Sequence, residues 1–230
     1  MRPLVFLHGW GFGSRVWSPV VERLAATGDV RCIDLPGYGE RVMGIDDLPA
    51  GTVLCAWSLG ALRALRWAVE RPERISRLVL VGATPRFLQA PDWPHAQPPE
   101  LLAGFAAGLA EDPAKTLRRF AALLNQGDAQ AKTATRALAA LIAQMPSTST
   151  LAAGLQELRD TDLRASIPAV RQPTLIIHGD RDPLMPLAAG RWLAAQLADA
   201  RLAVVAGAAH GPFLSQPERF AGLLREFAHD

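Results

Sequence analysis

Short apolar runs alternate with amphipathic helical patterns along most of this chain, and this alternation constrains its fold more than any other feature. Predicted strands are Leu4–His8, Val30–Asp34, Thr52–Trp57, Arg77–Val81, Thr174–His178 and Arg201–Val205. Several are apolar almost throughout, as expected for strands buried on both faces of a parallel sheet. Predicted helices lie near Val16–Ala26, Leu59–Glu70, Leu187–Leu197 and Glu218–Ala228. The order predicts an α/β fold in which helices flank a mostly parallel sheet.

The alternation breaks between residues 84 and 172. This stretch begins with a group of prolines and continues as Ala- and Leu-rich helical sequence without a credible strand. A helical insertion between two strands would lie over the carboxyl edge of the sheet, where such sheets bind ligands. We therefore predict one domain, with a core of residues 1–83 and 173–230 and a helical lid of residues 84–172.

Composition narrows the class of protein. Half of the 230 residues are hydrophobic, which is enough for a sizeable core, and a net charge of +2 does not favour a nucleic-acid partner. The sequence has neither a signal-peptide core nor an apolar run of about 18 residues that would cross a membrane. Cys32 and Cys55 lie in apolar runs and are expected to be buried and reduced. We expect a cytoplasmic monomer without a membrane partner.

A serine between a strand and a helix is the strongest chemical signal. The apolar strand before Ser58 is followed at once by helix-forming sequence, with Ala56 and Gly60 two residues on either side. Such a sharp turn presents a nucleophilic hydroxyl at the sheet edge and requires small neighbours. Glycine is usual at both positions, so Ala56 is a mild departure. The alternative is a serine that only caps a helix.

The two partners that such a serine needs follow later strands. Asp182 lies after the fifth predicted strand and His210 after the sixth. The order Ser58, Asp182, His210 is that of a nucleophile, an orienting carboxylate and a general base on this kind of fold. Asp180 is the rival carboxylate, although its position after Gly179 is typical of a turn residue.

The loop after the first strand completes the predicted site. Backbone amides of Trp10 and Leu59 are expected to form an oxyanion hole for the charge on a carbonyl oxygen. His8 is expected to brace this loop, and Asp34 to cap its own strand end. His178, Asp180 and Asp182 lack the spacing of a metal site. We predict no metal and no cofactor.

These motifs, and others across nearly the whole chain, resemble the pimeloyl-[acyl-carrier protein] methyl ester esterases of biotin synthesis (the BioH group) of the α/β-hydrolase superfamily. The resemblance rests on His8-Gly-Trp-Gly, Asp34-Leu-Pro-Gly-Tyr-Gly, Trp57-Ser-Leu-Gly, Trp93-Pro, Leu102-Ala-Gly-Phe, Gly154-Leu-Gln-Glu-Leu, Thr161-Asp-Leu-Arg, Asp182-Pro-Leu-Met-Pro and Ala208-Ala-His-Gly-Pro-Phe. Against that family the sheet is expected to be shortened at its N-terminus. Only a dozen residues separate Gly39 from Thr52, too few for a crossover helix with its loops.

The resemblance implies a serine carboxylesterase that removes the methyl ester from a pimeloyl group on acyl carrier protein. Substrate is expected to contact Trp10, Phe120 and Phe213. The acidic carrier is expected to dock on lid cations at Lys115, Arg119, Lys132 and Arg136. An equally weighted alternative is a solvated face, in which Glu111 and Asp128 pair with the lysines four residues onward. A broad small-ester esterase or lactonase, and an inactive small-molecule receptor of the same fold, are alternative functions.

Overall fold

A six-stranded parallel sheet forms the centre of the molecule. The computed structural model describes residues 2–24 and 28–229. The strands are β1 (Leu4–Leu7), β2 (Val30–Ile33), β3 (Thr52–Trp57), β4 (Ile75–Val81), β5 (Thr174–Gly179) and β6 (Ala200–Val205). Their order across the sheet is β2-β1-β3-β4-β5-β6, and every pair is parallel. The predicted fold class is therefore confirmed.

Nine α-helices lie in the described part of the chain. They are α1 (Ser18–Leu24), α2 (Leu59–Glu70), α3 (Pro99–Glu111), α4 (Pro113–Leu124), α5 (Ala131–Leu141), α6 (Thr148–Asp160), α7 (Leu187–Gln196), α8 (Pro212–Ser215) and α9 (Pro217–His229). The first predicted helix begins instead with a 3-10 turn at Ser14–Trp17, and its predicted end at Ala26 lies outside the described residues. Between β2 and β3 there is only a 3-10 turn, Ile45–Asp47, as the short spacing predicted.

The core follows from the apolar character of the central strands. Every residue of β1 and β3 is buried, because helices cover both faces of the sheet. Helix α2 packs on β3 and β4, α7 packs on β5 and β6, and α1 packs against α9. Both cysteines are free thiols, and burial raises the pKa of each above its ordinary value. Neither thiol is therefore activated as a nucleophile.

The segment between β4 and β5, called the insertion below (residues 84–172), contains helices α3 to α6. Asp112 caps α4 by accepting a hydrogen bond from the Lys115 amide, with N and O 2.8 Å apart. The insertion is tied to the core by a bidentate pair in which Arg63 of α2 contacts Glu157 of α6 at 2.6 Å. None of the helices in the described residues is long and apolar enough to cross a membrane.

Parallel pairing brings six loops to one edge of the sheet. All strands end at the same side, so the segments after β1, β3, β5 and β6 converge there. These segments carry His8, Ser58, Asp182 and His210, respectively. Residues far apart in the sequence therefore meet at the carboxyl edge.

Candidate active site

Ser58 adopts a strained backbone conformation between β3 and α2. Its φ is 57° and its ψ is −118°, and it is the one residue other than glycine with positive φ in the described chain. Its amide donates to Val81 O at 3.0 Å, which holds the turn against β4. A Cβ atom at Gly60 would collide with the carbonyl oxygen of His8, so the helix can approach β1 only with glycine there. The methyl group of Ala56 is fully buried within the sheet.

His210 and Asp182 form a buried pair close to this turn. His210 Nδ1 lies 2.7 Å from Asp182 Oδ2, and both side chains are fully buried. Since a carboxylate accepts, the hydrogen bond places the imidazole proton on Nδ1 and leaves Nε2 as an acceptor. Nε2 has no hydrogen-bond partner among the described residues. The ring is thus in the tautomer that a general base for a serine hydroxyl needs.

The main chain of His210 is held beside the serine turn by Trp57. The Trp57 indole Nε1 donates to the His210 carbonyl oxygen at 2.9 Å, and the two ring centroids are 5.5 Å apart. Trp57 directly precedes Ser58 in the chain. A Cβ atom at Gly82 would lie 2.9 Å from the imidazole, so glycine makes room for the ring after β4.

Three described donors form hydrogen bonds to the Asp182 carboxylate, and a fourth nitrogen lies near it. Oδ1 accepts from the amides of Leu184 at 2.9 Å and Met185 at 2.8 Å, while Oδ2 faces His210 and lies 3.5 Å from His178 Nε2. Burial by itself raises the pKa of this carboxyl, but the charge and hydrogen bond of His210, with smaller contributions from His178 and Met185, bring the pKa below its ordinary value. Asp182 is therefore an anion suited to orient an imidazole.

Asp180, the rival carboxylate, forms no hydrogen bond to His210 in the described structure. It is exposed, and its Oδ1 accepts from the Gly207 amide at 2.7 Å, which ties the loop after β5 to the loop after β6. His178 Nε2 donates to the Met185 carbonyl oxygen at 2.7 Å, and burial lowers the pKa of its imidazole. The described residues contain no cluster of three or more His, Cys, Asp or Glu side chains arranged for a metal ion.

The amides predicted to form an oxyanion hole are free to donate. Neither Trp10 N nor Leu59 N has an acceptor among the described residues, and Leu59 is the first residue of α2, where the helix dipole favours negative charge. Trp10 is held in place by the insertion, since its Nε1 donates to Leu151 O at 2.8 Å. A Cβ atom at Gly154 would lie 2.5 Å from the Trp10 ring, so α6 needs glycine at that contact.

His8 is fully buried, and both of its ring nitrogens are occupied by the backbone. Nε2 accepts from the Leu35 amide at 2.9 Å, and Nδ1 donates to the carbonyl oxygen of the next residue at 2.8 Å. Burial lowers the pKa of His8 to about 4, although Gly9 and Asp34 oppose that shift. His8 is a neutral brace between the loops after β1 and β2.

Two of the three predicted substrate contacts lie together and one does not. The rings of Trp10 and Phe120 meet edge to face with centroids 4.7 Å apart, above the loop after β1. Phe213 is fully buried, with its ring 4.2 Å from that of Trp17 and 5.0 Å from that of Trp57. Helix α8 turns this ring toward Trp17 and Trp57, and contact of Phe213 with substrate stays a prediction.

The four predicted docking cations are exposed on two neighbouring helices of the insertion. Lys115 and Arg119 lie on α4, and Lys132 and Arg136 lie on α5. None of the four forms an ion pair within the described residues, so the alternative pairs with Glu111 and Asp128 do not form. A shallow groove between the helices is lined by Arg119, Ala122, Leu123, Asn125, Gln126, Ala131, Lys132 and Thr135.

Sequence reasoning missed two residues near the site. In the sequence, Trp57 stands out only as part of a motif, although a buried indole needs an acceptor for its N–H. Asp128 was considered only as an ion-pair partner of Lys132. Its carboxylate is instead occupied by backbone amides, one of them in the loop that carries His210. Its position after Gly127, just before a helix, is a signal for an amide-binding role.

Comparisons with known proteins identify the family of this chain. A family model described as "Alpha/beta hydrolase family" matches residues 4–223. The pimeloyl-[acyl-carrier protein] methyl ester esterase of Aromatoleum aromaticum is 44% identical over 98% of both chains. The protein of that name from Nitrosomonas europaea is 40% identical over 94% of this chain and 92% of its own.

A similar solved structure is an esterase from Exiguobacterium antarcticum. Its TM-score is 0.90 at 23% identity, and the match covers all of this chain and 92% of the esterase. At that sequence identity, the structural similarity supports the fold alone. The family match and the sequence identities, taken with the fold, show that the chain belongs to the α/β-hydrolase family and, within it, to the pimeloyl-[acyl-carrier protein] methyl ester esterases.

Proposed function

We propose that this protein is a serine carboxylesterase that hydrolyses the methyl ester of pimeloyl-[acyl-carrier protein], a step in biotin precursor synthesis. Ser58 is the nucleophile, His210 the general base and Asp182 the residue that orients it. The observation that carries the proposal is the strained Ser58, next to the Trp57 indole that binds His210, whose Nδ1 faces Asp182. We infer the substrate from the name that the relatives share.

The first half of the reaction forms an acyl-enzyme. His210 Nε2 accepts the hydroxyl proton as Ser58 Oγ attacks the ester carbonyl carbon. The amides of Trp10 and Leu59 donate to the oxygen that becomes negative, and Asp182 stabilises the imidazolium. As the carbon–oxygen bond to the methoxy group breaks, His210 returns the proton and methanol leaves.

The second half reverses these roles with water. His210 removes a proton from water, the hydroxide adds to the acyl carbon, and Ser58 leaves with the proton that His210 returns. The product is a free carboxylate at the end of the acyl chain, while the thioester to the carrier stays intact. No metal or cofactor takes part in either half.

The carrier is the second element of the proposal. Acyl carrier proteins are acidic, and the exposed cations of α4 and α5, which form no ion pair with any described residue, offer charge complementarity. Lys115, Arg119, Lys132 and Arg136 are the residues we assign to this contact. Arg118, which is also exposed on α4, adds to the positive charge of the same surface. Such surfaces raise association rates more than they raise affinity.

The proposal is tested by comparing pimeloyl-carrier methyl ester with p-nitrophenyl butyrate for the wild type and Ser58→Ala. We expect the wild type to cleave both and to prefer the carrier substrate, and Ser58→Ala to cleave neither. Cleavage of the small ester alone would contradict the proposed substrate and favour a broad small-ester esterase or lactonase. No cleavage of either ester, together with no labelling of Ser58 by a fluorophosphonate probe, would favour an inactive receptor.

A charge variant separates carrier docking from catalysis. In Arg119→Ala/Lys132→Ala/Arg136→Ala we expect kcat/KM for the carrier substrate to fall on the order of tenfold or more at low salt, with the small ester unaffected. The matched control is Arg171→Ala/Arg191→Ala/Arg201→Ala, which removes three exposed cations that lie outside α4 and α5 and form no ion pair among the described residues. Equal loss on both esters, or equal loss in the control, would refute docking on α4 and α5.

A further inference from the structure

The loop that carries His210 is hydrogen-bonded to the insertion as well as to the core. The turn between α4 and α5 (residues 125–130) and the end of α4 lie against the loop of residues 207–210. The His210 amide donates to Leu124 O at 3.1 Å, and the Ala129 amide donates to Gly207 O at 2.8 Å. Since the His210 carbonyl oxygen accepts from Trp57, both backbone groups of this histidine have named partners.

Within this contact, the side chain of Asp128 bonds to the backbone beside His210. Its Oδ2 accepts from the Ala209 amide at 2.7 Å, and this bond is buried. Its Oδ1 accepts from the Gln130 amide at 2.7 Å just before α5 begins. The two oxygens therefore have separate tasks: one orders the start of α5, and the other reaches 81 residues along the chain to the catalytic loop.

We propose that Asp128 is a positioning residue for His210. The proposal rests on the proposed function, because positioning matters only if His210 is the base. A carboxylate–amide bond at this length is among the stronger hydrogen bonds in proteins. It holds the peptide immediately before His210, and so limits the direction in which the imidazole leaves the backbone. General-base catalysis is sensitive to errors of about 1 Å in such placement.

The insertion then contributes to the placement of His210. At the α4–α5 turn the insertion is part of the support of a catalytic residue, and not only a cover over the site. If the whole insertion moved away as one body, it would break the bonds from Leu124, Asp128 and Ala129 to the His210 loop. Entry of substrate must therefore leave this turn in place.

The test uses Asp128→Ser with p-nitrophenyl butyrate, a substrate that needs no carrier. Serine keeps an oxygen that can accept from the Gln130 amide but lacks the second oxygen that reaches Ala209. We expect kcat to fall on the order of tenfold, with KM nearly unchanged, because placement of the base is lost and ester binding is not. Activity is measured well below the melting temperature of every variant.

The matched control is Asp112→Ser, which changes the N-cap aspartate of α4 in the same way but does not touch the His210 loop. Its kcat is expected to equal that of the wild type. A wild-type kcat in folded Asp128→Ser, or an equal fall in Asp112→Ser, would overturn the positioning role. If Asp128→Ser does not fold, Asp128→Asn decides. It has one acceptor oxygen for two amides, so its kcat should fall, and an unchanged kcat overturns the proposal.

Ser58→Ala in the same assay separates this proposal from the proposed function. If Ser58→Ala keeps its activity, the proposed triad is wrong, and the positioning role of Asp128 is refuted as well. If Ser58→Ala is inactive while Asp128→Ser has the wild-type kcat, the triad stands and only the positioning role is refuted.

Discussion

His8 and His210 occupy similar places in this fold but differ in what their ring nitrogens contact. Each lies in the loop after a strand of the sheet, each is fully buried, and each has an aspartate nearby: Asp34 at 3.8 Å from His8 and Asp182 at 2.7 Å from His210. Both nitrogens of His8 are engaged by backbone groups, whereas His210 keeps Nε2 without a partner among the described residues.

The carboxylates differ in the same way. Asp34 directs its two oxygens to the amides of Ser14 at 2.7 Å and Arg41 at 3.2 Å, so it organises loops. Asp182 also binds two amides, but it does so with Oδ1 and keeps Oδ2 for the imidazole. A buried histidine beside an aspartate is therefore not enough for catalysis. What distinguishes His210 is that its Nε2 has no partner among the described residues and that its main chain is bonded to Trp57, the residue before the strained Ser58.

Replacing each histidine with glutamine tests whether the two imidazoles have different roles. His210→Gln should lower kcat/KM by about 10⁴-fold or more, because no base remains for Ser58. His8→Gln should keep most of the activity while lowering the free energy of unfolding by about 1–3 kcal/mol, since a buried backbone amide loses its acceptor. Kinetics on p-nitrophenyl butyrate and urea unfolding of both variants give the answer. Comparable kinetic losses in the two variants would contradict the distinction.

A second experiment compares the aspartates. Asp182→Asn should lower kcat by about 10⁴-fold, because an amide beside Nδ1 allows the wrong imidazole tautomer. Asp180→Asn is the matched control in the same loop, and its kcat should be that of the wild type. If Asp180→Asn proved the more damaging of the two, the orienting role would have to move to Asp180.

The smallest expected effect concerns acid stability. The pKa of His8 is about 4 in the folded chain, below its ordinary value of 6.5, so the unfolded chain binds the proton first as the pH falls. Stability from this group is complete above about pH 6.5 and declines toward pH 4, by roughly 3 kcal/mol in all.

This decline is measured by urea unfolding between pH 7 and pH 4.5 for the wild type and His8→Gln. The variant should lose less stability over that range. Part of the slope remains in both, because burial also lowers the pKa of His178. Identical slopes would show that His8 is not held neutral in the fold.

Local sequence signals were sufficient to predict much of the fold and the sharp turn at Ser58. The apolar run of β3 and the helical pattern of α2 predicted both elements with the bounds the structure has, Thr52–Trp57 and Leu59–Glu70. Strand propensity and helix periodicity depend on neighbours within a few residues, so they can be read directly. The placement of Ser58, Asp182 and His210 at one edge of the sheet also follows from the sequence, because each lies in the segment after a predicted strand.

Tertiary structure decided what depends on distant partners. The ring of Phe213 turns into the core because Trp17 and Trp57 form a pocket for it there. Asp128 binds the amide of Ala209 and not the nearby Lys132, since the α4–α5 turn is packed against the His210 loop. A helical spacing of four residues permits an ion pair, but the tertiary fold brings a buried amide within reach, and an unsatisfied buried donor costs more than a surface pair contributes.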